Sequence, residues 1–98
     1  MNKDELKKRI YTVDSMLEDK GNKIYGDRKR LRHVDNSIAE EELLIELGRA
    51  SGGNVLQGLL ELRSKQLTEL EDEQSLYSKL KEKLAELQQE LALSELDL

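Results

Sequence analysis

The chain has 98 residues, of which 38% are charged and 3% aromatic; it has no Pro and no Cys, and its net charge is −5. This is the composition of long helices and coiled coils in a single small domain, and it excludes disulfides and thiolate chemistry. Met1–Arg9 lacks the apolar core of a secretory signal, and no apolar run approaches the ~20 residues of a membrane span. Cytoplasmic synthesis is the expectation, with export that needs no classical signal peptide left open.

Asn2-Lys3-Asp4-Glu5 reads as a helix start, an Asx cap followed three residues later by an acid. A first arm is expected over about 3–48. Its backbone is a heptad stripe of Ile10, Leu17, Ile24, Leu31, Ile38 and Ile45, the spacing that keeps one face of a helix against a partner. Gly21 and Gly26 weaken this arm by up to ~1 kcal/mol each relative to Ala. The stripe keeps phase across both, which favours one continuous helix; a break there, giving two shorter helices, is the alternative.

Ser51-Gly52-Gly53-Asn54 is the strong breaker cluster, so the turn is expected at about 50–54, with Gly52 and Gly53 supplying the left-handed conformation that ends a helix. Asn54 with Gln57 resembles a capping box that restarts the chain. A second arm is then expected over about 55–96, carrying Leu56, Leu59, Leu70, Tyr77, Leu80, Leu84, Leu87, Leu91 and Leu98. The fold class is all-α: an antiparallel, coiled-coil-like two-helix hairpin that assembles into a helical bundle, with residues 1–98 as its one domain.

Folding about Gly52 pairs residues whose numbers sum to 104. Ile45 then meets Leu59, Val34 meets Leu70, Ile24 meets Leu80, Leu17 meets Leu87, Val13 meets Leu91 and Leu6 meets Leu98. The same register sets Glu41 beside Arg63. It also sets the basic run Arg28-Lys29-Arg30-Leu31-Arg32 beside Glu71-Asp72-Glu73. Lys20, Asp27, Glu41, Arg63, Gln66 and Glu73 fall on seam positions that an ideal coil keeps apolar, where polar residues lower stability and set register or partner choice.

Near the turn the excess is apolar. Leu43, Leu44, Leu47, Leu60, Leu62 and Leu67 add surface that one two-helix seam cannot bury, and they are the candidate partner-binding residues. The tail from Leu91 also carries leucines on more than one face. Tyr11, Tyr25 and Tyr77 read as seam or rim packing. Arg28, Lys29, Arg30 and Arg32 with Glu71, Asp72 and Glu73 are the candidate charge-complementarity set.

Chemical motifs are sparse. His33 is the single histidine, and no metal site, catalytic constellation or cofactor is expected. Gly53 and Gly58 have phosphate-loop spacing, but Leu59-Leu60 stands where that loop needs Lys-Ser/Thr. Gly48-x-x-x-Gly52 matches a membrane packing motif, yet at a helix end it reads as a stop. Residues 20–33 hold six cations (Lys20, Lys23, Arg28, Lys29, Arg30, Arg32) and one acid, Asp27. Such a band could contact phosphates, but no base-reading side chains are interleaved with it, and pairing with acids of the chain or of a protein partner is the stronger reading.

An acidic hairpin of about this length with a central glycine turn resembles the small WXG-type proteins of type VII secretion and the small helical partners of LXG-type secreted toxins. Ser51-Gly52-Gly53 stands where the WXG turn has Trp-x-Gly. Lys81 stands where the Tyr-x-x-x-Asp/Glu export signal, started here by Tyr77, needs an acid. No functional residue carries across at those positions. The resemblance implies a chaperone or targeting partner docking on the helical domain of a larger effector. The functional expectation is a non-enzymatic helical adaptor or chaperone for a larger helical protein, itself a homodimer or part of a complex. The alternatives are a nucleic-acid-binding helical dimer using the basic band and a homomeric scaffold component.

Overall fold

A computed structural model describes residues 1–49 and 53–96 of the chain. It is an all-α hairpin of two long helices, α1 (Lys3–Glu46) and α2 (Gly53–Leu96). The start of α1 follows from its cap: the Asn2 Oδ1 accepts from the Glu5 amide at 2.9 Å, satisfying one of the free N–H groups of the first turn. Asp4 and Glu5 lie in that turn, where negative charge opposes the helix dipole. The helix runs unbroken through Gly21 and Gly26, so the three-helix alternative does not hold. The in-phase aliphatic stripe outweighs the two weak helix formers.

α1 ends at Glu46, two residues before the expected 48. Its left-handed residue is Gly48, with φ of 71°, ahead of the Gly52-Gly53 pair to which that role was assigned. The Gly48 amide donates to the Ile45 carbonyl at 3.0 Å and the Arg49 amide to the Leu44 carbonyl at 2.8 Å. These are the two bonds of a Schellman stop, for which glycine is favoured because it has no Cβ to clash at positive φ. Gly52 lies outside the described residues, as does Leu98, the expected partner of Leu6; Gly53 is the first residue of α2. The proposed Asn54–Gln57 cap is not used: the Gln57 amide donates forward to Glu61 at 3.1 Å, because α2 has already begun.

The helices divide into two compact units, Met1–Lys23 with Glu73–Leu98, and Ile24–Asp72. In the first, Leu6, Val13, Leu80 and Leu87 form a buried cluster flanked by Ile10, Leu17, Leu84 and Leu91. Tyr77 lies against Gly21, and the Glu73 carboxylate receives Lys23 at 2.8 Å and Lys20 at 3.0 Å. In the second, Ile24, Val34, Ile38 and Leu70 are buried, together with Glu41. There Arg63 Nε donates to Asp35 Oδ1 at 2.6 Å.

These pairs set the register. Their residue numbers sum to between 93 and 98, about one heptad short of the expected 104. Arg63 meets Asp35 where Glu41 was expected, and Glu73 meets Lys20 and Lys23 where the run 28–32 was expected. A slip of seven residues brings the same aliphatic stripe back into the seam, so the apolar pattern fits both registers. The stop at Gly48, four residues before Gly52, moves the fold point and selects the observed one. Ile45, assigned to the seam by the longer register, is 43% exposed.

Candidate partner-binding surface

The second unit alternates apolar and polar groups along its seam. Asp27, Arg63 and Gln66 are half-buried among its apolar positions, and Glu41 is buried. The Asp27 carboxylate is engaged by Arg30, one turn along α1, through Oδ1 only; its Oδ2 and the Gln66 Oε1 are buried without a hydrogen-bond partner. Each such group forfeits hydration that the protein does not replace. In the first unit Glu73 Oε2 is likewise buried without a hydrogen-bond partner, although the Lys20 ammonium lies 3.0 Å from it.

Around that seam the surface is apolar. Leu43, Leu44, Leu47, Leu60 and Leu62 are all exposed, with Leu47 at 65% and Leu43 at 55%. Leu67 is half-buried, since it packs partly against its own unit. Sequence reasoning missed two neighbours, Ile45 and Val55, which are also exposed. Ile45 was hidden by its place in the stripe, and Val55 by its closeness to the breaker cluster. Heptad spacing places Leu44, Leu60, Leu62 and Val55 on positions flanking the seam, while Leu43 and Leu47 lie on the side of α1 turned away from it.

The charged residues distribute differently from the expected cross-hairpin match. Glu73 is held by Lys23 and Lys20 within the first unit, and these two ammonium groups, Lys23 first, keep its carboxyl below the usual glutamate range. Arg30 turns to Asp27. Glu71 and Asp72 are exposed. Lys29 stacks over the ring of Tyr25 at 5.0 Å, and Lys81 over Tyr77 at 4.8 Å, each a cation–π contact. Tyr25 is 63% and Tyr11 75% exposed, so neither is seam packing; Tyr77 is half-buried, as a rim residue should be.

Among the described residues no group of three His, Cys, Asp or Glu is arranged to hold a metal ion, and no helix is long and apolar enough to cross a membrane. One surface groove of about 260 Å³ runs along α1, lined by Lys29, Arg32, His33 and Asn36. Comparison with known protein families, with curated proteins and with solved structures finds no match for this chain.

Proposed function

We propose that this chain is a non-enzymatic helical adaptor that covers, and is covered by, a helix of a larger helical protein. The observation that carries this reading is the exposed apolar ring at the turn end of the second unit: Leu44, Val55, Leu60 and Leu62 beside the seam, with Leu43 and Leu47 beyond them. An amphipathic helix laid against such a surface buries leucines on both sides of the contact. Each fully buried leucine adds roughly 1.5–3 kcal/mol. The half-satisfied seam supports the same reading, because a unit held loosely by its own residues gains most from a further helix. The resemblance to small partners of secreted effectors suggests the finer form of the proposal, in which the larger protein is an effector and the adaptor its chaperone or targeting subunit.

The nucleic-acid reading is less well supported. Of its six cations, Lys20, Lys23 and Arg30 are engaged by Glu73 and Asp27, which leaves Arg28, Lys29 and Arg32 as a short basic run rather than a phosphate track.

The test is capture from the native host with wild-type protein and with Leu44→Glu and Leu60→Glu variants. The expected result is a stable complex with a large protein containing a long helical region. Each glutamate should weaken it by about 2 kcal/mol or more, roughly thirtyfold, with helicity by circular dichroism unchanged. A complex insensitive to both substitutions would sink the proposal, as would recovery of the chain with nucleic acid that nuclease removes.

A further inference from the structure

The outward side of α1 in the second unit carries an ordered charge sequence that the adaptor reading uses only at its leucine end, Leu43 and Leu47. From one end it runs Tyr25, Lys29, Arg32, His33, Asn36, Ala39, Glu40, Leu43 and Leu47, every one of them exposed. The first half is basic and ends on an exposed aromatic ring. The second half carries a single charge, the acid Glu40, and ends on exposed leucines. Arg32 and Glu40 make no ion pair with another described residue, although both lie on this helix, and the groove lined by Lys29, Arg32, His33 and Asn36 occupies the basic half.

We propose that this face binds a second copy of the chain, α1 against α1 antiparallel, about a two-fold axis at Asn36. A surface that is positive on one side of a point and negative on the other complements itself when rotated about that point, which is the condition for an isologous dimer. Reversing the chain about Asn36 sets Arg32 opposite the partner's Glu40, and His33 opposite the small side chain of the partner's Ala39. It sets Tyr25 opposite the partner's Leu47, and the Lys29 stem opposite the partner's Leu43. Each contact occurs twice. The four residues of the groove are spaced i, i+3, i+4 and i+7, the hole that receives one side chain of a facing helix. A parallel pairing would stack Arg32 on Arg32 and Glu40 on Glu40, so charge selects the antiparallel arrangement. Leu44, Leu60 and Leu62 stay outside this face, which shares only Leu43 and Leu47 with the adaptor surface, and the charge match at Arg32 and Glu40 does not depend on the adaptor reading.

Sedimentation equilibrium on the full chain tests it. Arg32→Glu and Glu40→Arg should each raise the dimer dissociation constant by about tenfold or more, since each turns two attractions into two repulsions. The double variant should recover wild-type affinity to within about threefold, and an equimolar mixture of the two single variants should form a mixed dimer. A spin label on Asn36→Cys, in a chain with no other cysteine, should report a label-to-label distance below about 25 Å, because facing helix axes lie about 8–10 Å apart. Leu44→Glu should leave all of this unchanged. A wild-type chain that stays monomeric at 100 μM (about the weakest affinity of interest), a double variant as weak as the singles, or labels with no short distance would each overturn the proposal.

Discussion

The two units use the same pair of helices to different ends. In the unit of Met1–Lys23 with Glu73–Leu98, an aliphatic cluster holds the seam beside the Lys20, Lys23 and Glu73 charges, and Leu6 and Leu87 are each only 2% exposed. In the unit of Ile24–Asp72, buried aliphatics alternate with Asp27, Arg63, Gln66 and Glu41, while several leucines face outward. The first joins its buried cluster to a paired set of charges, Lys20 and Lys23 on Glu73, and leaves Tyr11, Leu93 and Leu96 exposed. The second leaves Asp27 Oδ2 and Gln66 Oε1 without a partner in its seam and has Leu43, Leu44, Leu47, Leu60 and Leu62 exposed.

The sharpest way to break this comparison is to cut each unit at its most telling side chain. Leu87→Ala should cost about 2–5 kcal/mol, the usual range for a buried leucine, and Leu62→Ala, at an exposed site, less than about 0.5 kcal/mol. Urea midpoints measure both. Equal losses would mean that the leucines of the second unit already support the isolated fold. A smaller effect, of opposite sign, is expected at Asp27. Replacing it by leucine removes a carboxylate whose Oδ2 has no partner and should raise stability by about 1 kcal/mol; a fall in the urea midpoint would show the Asp27–Arg30 contact to be net favourable.

The smallest effect concerns Glu73. Its pKa is lowered in the folded chain by Lys23 and Lys20. The unfolded chain therefore takes up the proton first as pH falls, and the stabilising contribution, complete above the ordinary glutamate value, fades as pH drops through the lower folded one. Glu73→Gln should lower the thermal midpoint at pH 7 and leave it unchanged relative to wild type at pH 2.5. A constant difference across that range would place the effect of the substitution in packing rather than charge.

Much of the fold could be read from the residues. The stripe from Ile10 to Ile38 carries the helix through two glycines because heptad phase reports which face must be buried, and Asn2 caps as its side chain predicts. Register was beyond the pattern, since a seven-residue repeat superposes on itself and acids at 35 and 41 offer Arg63 near-equivalent partners. A helix end near Gly48 was legible, but the left-handed residue was assigned to Gly52 and Gly53 because a lone glycine is a weaker signal than Ser51-Gly52-Gly53. At the candidate surface, the leucine excess was legible from the count of apolar residues beyond the seam. The destinations of Lys20, Lys23 and Arg30 were not, because a flexible cation reaches acids on several turns.

The Gly48 stop also bears on how such a chain can change length over evolution. With helix ends set by a local backbone motif and the seam set by a period of seven, length is quantised. Adding one heptad to each arm lengthens the hairpin by about 10 Å and leaves every face where it was. Adding three or four residues to one arm turns all that lies beyond them by a sizeable fraction of the helix circumference and carries the leucine surface away from the partner it would meet. Sequences descended from a common ancestor with this one should therefore differ in length by whole heptads between Asn2 and Gly48, and by any number in the connection that follows.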